Sequence, residues 1–354
     1  MPEKQIKSWI KPEVLSQPAY HVESPRHRIK LNQNECPWDW PEELKRKIVE
    51  RLSSVSWNRY PGLVPEKLKD KLSEIVRVAP NQIVVGKGSN EVLQALATVI
   101  LRPGDTVCTL APTFAVYRLL SEQRSAKMAE SSLDERFRVD AKDLLKKSRQ
   151  ARMTILCNPN SPTGTLLPLG LIEEVAGEST GVVILDEAYV DFSGVSALPL
   201  LESYPNLIVT RTFSKAFALA GFRVGYAIMA ETLAHEVQKG LLPFNIDLPS
   251  LIATEIILEN RALVQARVKQ IIRGREQLIS RLNTLDGVTA WSSHANFFLL
   301  ETPQGPKKTF EFLLSRGILV RDVSGYLRCE NMLRVTVGSP EENEILYQAI
   351  KDLT

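Results

Sequence analysis

Five short stretches of the 354-residue chain hold residue types that could do chemistry together. In RTFSKAFALAGFRVGY (211–226), Ser214, Lys215 and Arg223 stand among small and apolar residues. A lysine enclosed by Phe213, Ala216 and Phe217 loses solvation, so its pKa falls and its amine can form an imine with a carbonyl or act as a base. Thr212, Ser214 and Arg223 add hydroxyl and guanidinium donors suited to one phosphate. In VVILDEAYVDF (182–192) an apolar run delivers Asp186 to the C-terminal end of an expected strand, the usual ligand crevice of an open α/β sheet. An acid there can cap a helix, coordinate Mg²⁺ or pair with a ligand cation. At ~4 Å and an effective dielectric of ~20 such a pair gains roughly 4 kcal/mol. That is about three pKa units, enough to keep a pyridine-type nitrogen protonated near neutrality.

The third stretch, VVGKGSNE (84–91), reads as strand, glycine turn and helix start, where unpaired N–H groups and the helix dipole favour phosphate. An ordinary strand–helix turn has the same pattern. A dinucleotide fingerprint needs Gly where Glu91 stands, and a P-loop needs Ser or Thr where Gly88 stands, so both nucleotide motifs fail. The Mg²⁺ reading of Asp186 thereby loses its partner. NPNSPTG (158–164), after MTILC, puts Asn158 and Asn160 at another strand end, although composition alone describes a turn. Arg334 in LRVTVG is the fifth candidate: an arginine inside an apolar strand needs an anion, whether a structural partner or a ligand.

These residues need a scaffold that brings strand ends together. Between about Asn81 and Ile228, QIVV (82–85), TVCTL (106–110), MTILC (153–157), GVVILD (181–186), LIVT (207–210) and RVGYAI (223–228) alternate with helical periodicity. Runs apolar on both faces predict the buried strands of a mostly parallel sheet with crossover helices. After Ser89, Val92, Leu93, Leu96, Val99 and Ile100 form one apolar helix stripe. From about Pro249 a long Arg-, Gln- and Ile-rich helix leads to strand-like NFFLL (296–300) and MLRVTV (332–337), and the last helix opens on Ser339-Pro-Glu-Glu342, a capping-box spacing. This predicts a smaller α+β domain, against which the first ~40 residues pack.

Composition excludes several classes. The length suits about two domains with a large core. Lys+Arg total 44 against 41 Asp+Glu, and a net charge of +3 is too small and too interspersed for a nucleic-acid surface. Cys36, Cys108, Cys157 and Cys329 lie far apart, which predicts reduced core thiols, and with four histidines they make no metal-ligand cluster. No stretch reaches the ~18 uninterrupted apolar residues of a membrane span, so a cytoplasmic protein without membrane contact is expected.

Taken in order, NPNSPTG, DEAYVDF, SKAFALAGFRVGY and LRVTVG resemble the fold type I pyridoxal-phosphate aminotransferases. With LNQNECP (31–37), NRYPG (58–62), GSNE (88–91) and APTFAVY (111–117), the chain is most similar to the histidinol-phosphate aminotransferase family, over nearly its whole length. The resemblance implies pyridoxal 5'-phosphate as cofactor, held covalently by Lys215, with Asp186 on its ring nitrogen, Tyr189 on its phenolic oxygen and Phe114 on its ring face. Ser89, Asn90, Thr212, Ser214 and Arg223 would hold the phosphate, and Tyr60 would reach the neighbouring subunit's site, which implies a homodimer. Arg334, assisted by Tyr20 and Arg321, would grip the substrate's anionic end.

The implied reaction is transamination between histidinol phosphate and 2-oxoglutarate in histidine biosynthesis. An aromatic aminotransferase and a threonine-phosphate decarboxylase share the fold, and a nucleotide-binding ATPase is the remote rival. The implied division is a large cofactor-binding domain at 45–245 and a small domain at 1–44 and 246–354 closing over the active site. Two positions depart from the family pattern. Ser161 stands where an Asn usually serves the phenolic oxygen, leaving that contact to Asn158, Asn160 or Tyr189 alone, and Cys36 replaces a usual Asn and reads as structural.

Overall fold

A computed structural model of the protein describes residues 3–17 and 25–354. Its strands, in chain order, are β1 (Ile29–Lys30), β2 (Ile83–Gly86), β3 (Thr106–Ala111), β4 (Lys127–Ser132), β5 (Met153–Cys157), β6 (Val182–Asp186), β7 (Leu207–Thr212), β8 (Gly225–Ile228), β9 (Thr289–Ala290), β10 (Phe297–Glu301), β11 (Ile318–Leu319), β12 (Arg321–Asp322) and β13 (Leu333–Thr336). Seven of them form the large sheet in the order β2-β8-β7-β6-β5-β3-β4. All neighbours run parallel except at β8, which is antiparallel to both β2 and β7.

Side chains of one strand alternate between two separate apolar cores, as the strand's two-residue period requires. Met153, Ile155 and Cys157 of β5 and Ile184 of β6 enter one; Leu156 of β5 and Val183 and Leu185 of β6 enter the other. The helix Ser89–Ile100 covers the first face with Val92, Leu93 and Leu96. The helices Ala141–Arg149 and Leu169–Glu178 cover the second through Leu144 and through Ile172 and Val175. The large sheet is thus the middle layer of an α/β sandwich.

The sequence runs anticipated six of the seven strands. The exception, β4, reads KMAESS; at the sheet edge only one of its six residues is buried, so it carries no apolar run. The run RVGYAI becomes a strand only from Gly225, because Arg223 adopts left-handed φ (+53°), incompatible with a ladder.

A four-stranded sheet, β12-β13-β10-β9, is fully antiparallel across its pairs. The 22-residue helix Arg261–Leu282 buries Val264, Val268, Ile271, Leu278 and Leu282 beside it, and Arg267 lies over the Trp40 ring while donating to the Trp38 and Asp39 carbonyls. The last helix, Pro340–Leu353, has the expected capping box: Ser339 Oγ accepts from the Glu342 N–H, and Glu342 accepts from the Ser339 N–H. Near the N-terminus, β1 pairs in parallel with β11, and Leu31 accepts from the Thr336 N–H. The chain from 31 to 36 therefore crosses from the small sheet to the ends of the large sheet's strands. Among the described residues no helix is long and apolar enough to cross a membrane.

Candidate active site

Strands β5, β6 and β7 end at Cys157, Asp186 and Thr212, and all three residues line one cavity of about 520 Å³. The start of the helix Ser89–Ile100, residues 32–35, and Arg321 and Arg334 of the small sheet complete its walls. A doubly wound sheet gathers ligands at this edge because the loops leaving adjacent strands diverge there.

Lys215 stands three residues beyond β7. Phe213, 1% exposed, packs against Phe217 and Tyr226 and anchors that turn. Lys215 Nζ donates to the Gln33 carbonyl at 2.8 Å. Burial, and then the Arg334 charge, pull the Lys215 pKa down to about 7, so a large share of the amine is neutral and nucleophilic near neutrality.

Asp186 is 3% exposed, and among the described residues the hydrogen-bond partners of its carboxylate are neutral: Tyr117 Oη at 2.7 Å, Thr210 Oγ1 at 3.1 Å and the Ala188 N–H at 3.2 Å. Burial raises its pKa, and those three hydrogen bonds oppose the rise. A buried carboxylate without a resident cation at bonding distance is suited to a cationic guest.

A cradle for an anion lies at the other end. A Cβ on Gly225 would fall 2.2 Å from the Ser89 amide nitrogen, and one on Gly88 would fall 2.6 Å from Arg223 Nη2, so glycine at both places lets backbone and guanidinium converge. Arg223 Nη1 and Thr212 Oγ1 each donate to Ser214 Oγ at 3.1 Å, which turns the Ser214 proton outward as a further donor. Ser89, Asn90, Thr212, Ser214 and Arg223 all face the cavity. N–H groups at a helix start, hydroxyls and a guanidinium make a donor set for phosphate.

Phe114 lines the wall, edge-on to Tyr117 at 5.5 Å. Tyr189, also lining, packs edge-on against Phe297 and accepts from Asn34 Nδ2 at 2.9 Å; burial pushes its phenol up to about 12. On the small sheet Arg321 and Arg334 are directly opposed cross-strand partners, both facing the cavity. Like charges so placed repel, and an anion between them removes the cost. The residues present therefore fit a group that combines an aldehyde, a basic ring nitrogen and a phosphate.

Not every sequence candidate joins this constellation. Asn158 Oδ1 accepts from the Leu167 N–H, and Asn160 donates to Pro112 O and Thr163 Oγ1 while accepting from Thr113. Neither side chain lines the cavity, because each satisfies the buried loop's own polar groups. Ser161 lines it instead, and its Oγ accepts from Arg334 Nη1 at 3.2 Å. Tyr60 is 80% exposed and stacks on Phe244 in a separate cavity. Tyr20 lies outside the described residues.

Sequence reasoning assigned no role to Tyr117, Thr210, Gln33 or Asn34. Tyr117 offered a faint signal, three residues after Phe114 and thus one helical turn along. The other three act through partners far away in sequence.

Comparison with known proteins agrees with this arrangement. The sequence profile described as "Aminotransferase class I and II" matches residues 26–350. The histidinol-phosphate aminotransferase of Thermococcus kodakarensis is 36% identical over 343 residues, covering 97% of this chain and 98% of the relative. That of Chlorobium phaeovibrioides is 36% identical over 354 residues, 98% of each chain. The crystal structure of histidinol-phosphate aminotransferase from Sinorhizobium meliloti in complex with pyridoxal-5'-phosphate has the same fold, at 22% identity and a TM-score of 0.87, covering 98% of this chain and 97% of that one. A cavity that offers an amine, an acid for a cation and donor sets for two anions, on a sequence that fits this profile almost end to end, places the chain in the class I and II aminotransferase family.

Proposed function

We propose that the protein is a pyridoxal 5'-phosphate-dependent aminotransferase that moves an amino group from histidinol phosphate to 2-oxoglutarate, in histidine biosynthesis. The observation that carries the reading is the placement of a lysine with a pKa of about 7 between a buried acid with neutral partners and a pair of opposed arginines. Bound there, the cofactor supplies an aldehyde that captures amines and a protonated ring that draws electrons from the bond being broken.

The protein's own groups do the rest. Lys215 Nζ would hold the cofactor's aldehyde carbon between turnovers and, once displaced by substrate, would carry the proton between the substrate's Cα and the cofactor's C4′. Asp186 holds the proton on the ring nitrogen, and Tyr117 and Thr210 hold Asp186. Tyr189 directs its hydroxyl proton to the phenolic oxygen, and Phe114 covers the ring and excludes water. The backbone N–H groups of Ser89 and Asn90, with Thr212, Ser214 and Arg223, bind the phosphate. Arg321 and Arg334 orient the anionic end of either substrate, the phosphate of the donor or the carboxylate of the acceptor.

The same reading divides the chain into a cofactor lobe, 45–245, and a lobe of 1–44 and 246–354 that closes over it. It also makes the enzyme a homodimer. Supporting that, Trp57 and Tyr60, each more than half exposed, line one cavity with Phe244, a face suited to a second copy whose site Tyr60 enters. A cytoplasmic location accords with four free cysteines and with the biosynthetic role.

Parallel turnover assays with 2-oxoglutarate as acceptor test the substrate. Histidinol phosphate should be consumed fastest. Faster use of phenylalanine points to an aromatic aminotransferase, and CO₂ released from threonine phosphate points to a decarboxylase; either result rejects the proposed donor.

A further inference from the structure

Asn34 is buried, 1% exposed, in left-handed backbone (φ +56°), and Asn296 Nδ2 holds its carbonyl at 3.0 Å. Its side chain spans the gap between β13 and Tyr189: Nδ2 donates to the Tyr189 hydroxyl at 2.9 Å, and Oδ1 accepts from Thr336 Oγ1 at 3.2 Å. The orientation of that amide follows from the network. Thr336 Oγ1 already accepts the Asn34 backbone N–H at 2.9 Å, so the Thr336 proton is the one facing Oδ1. A flipped amide would offer Thr336 a second N–H and remove the acceptor for its proton.

A phenol has one proton. Since the Tyr189 oxygen receives its bond on this side from Asn34, its own proton is free to point away, toward the cavity that Tyr189 lines. Burial holds the phenol at about 12, so that proton is present throughout the neutral range.

We propose that Asn34, clamped by Thr336, is a positioning residue that aims the Tyr189 hydroxyl proton into the cavity, at the cofactor's phenolic oxygen. The inference rests on the role given to Tyr189 under the proposed function. Thr336 and Arg334 are two residues apart on β13 and so share a face, which puts the anion clamp and the proton-directing clamp on one strand.

The test is a spectroscopic pH titration of the holoenzyme's visible absorption band in the wild type and in Tyr189→Phe, Asn34→Asp, Asn34→Gly and Asn34→Asp/Tyr189→Phe. Asn34→Asp keeps the shape and the Thr336 contact but accepts where Asn34 donates, so it captures the Tyr189 proton. Asn34→Gly keeps the left-handed backbone and leaves the phenol free to rotate. The band's midpoint should rise by about one pH unit in Asn34→Asp, in the same direction as in Tyr189→Phe, and by less in Asn34→Gly. Most of the Asn34→Asp shift should vanish once Tyr189 is Phe.

An unmoved midpoint in Asn34→Asp overturns the proposal, even if the variant melts earlier, because a merely structural residue would behave so. A shift undiminished in the Tyr189→Phe background also overturns it, since that is the through-space effect of the new charge. If Tyr189→Phe itself leaves the midpoint in place, the role of Tyr189 fails and the proposal with it. If only the Asn34 variants leave it in place, the role of Tyr189 stands and the proposal alone fails.

Discussion

Asp186 and Glu187 are neighbours at the end of β6, both at most 3% exposed and both with pKa values raised by burial, yet they face opposite worlds. Glu187 turns to the back of the sheet, where Arg211 Nε and Nη2 meet its Oε2 at 2.9 and 2.7 Å and Ser196 and the Ala197 N–H satisfy Oε1. Asp186 turns to the cavity and finds two hydroxyls and an N–H. Two adjacent residues on β7 repeat the split: Arg211 serves the back and Thr212 serves the cavity. A buried charge that the fold neutralises is structural; one that the fold only solvates is kept for a guest.

That contrast can be broken at several places. The largest effect belongs to Lys215→Ala, which should lower turnover by about 10²–10⁴-fold or more while part of the cofactor affinity survives through the phosphate cradle. Steady-state rates without added amine check this, and near wild-type turnover would remove Lys215 from the mechanism. Asp186→Asn should lower turnover by about 10³-fold, the value of roughly 4 kcal/mol of charge pairing. Because it also removes a buried acid whose hydrogen-bond partners among the described residues are all neutral, the cofactor-free variant should melt no lower than the wild type.

Glu187→Gln should do the reverse. Turnover should stay within about threefold, while stability falls by about 2–3 kcal/mol because Arg211 keeps a half-buried charge without its partner. Denaturant unfolding of the two variants side by side reads the difference, and equal losses of activity would erase the distinction between the two faces.

Capture of pyridoxal 5'-phosphate by cofactor-free protein gives a pH-resolved version. Only the neutral amine attacks an aldehyde, and burial holds the Lys215 pKa at about 7, so the capture rate should climb as pH rises toward 7 and flatten above about 8. A rate still climbing through pH 10 would mean a lysine of ordinary basicity. The smallest effect is expected of Ser161→Ala, which removes one hydrogen bond from Arg334 and should raise KM a few-fold with kcat almost unchanged.

The sequence made the framework legible because burial writes itself as apolar runs: MTILC and VVILD are strands to within a residue of where their hydrophobicity begins and ends. It was silent on β4, whose edge position needs no such run. In the site, residues leaving strand ends or opening a helix could be read locally: Asp186, Lys215, Ser89 and Arg334 announce themselves by an ionisable or polar group in an apolar setting. Asn158 and Asn160 stood out locally, but hydrogen bonds that the sequence does not display tie both side chains to the loop's own polar groups. Asn34 and Tyr117 were invisible as partners because their hydrogen bonds close over 155 and 69 residues of chain, a distance on which local pattern carries no information.

The most direct measurement is hydride reduction of the protein loaded with pyridoxal 5'-phosphate, followed by peptide mapping by mass spectrometry. The account predicts a single stable adduct on Lys215. Label on another lysine, or no label on a protein that nonetheless transfers amino groups, would contradict it.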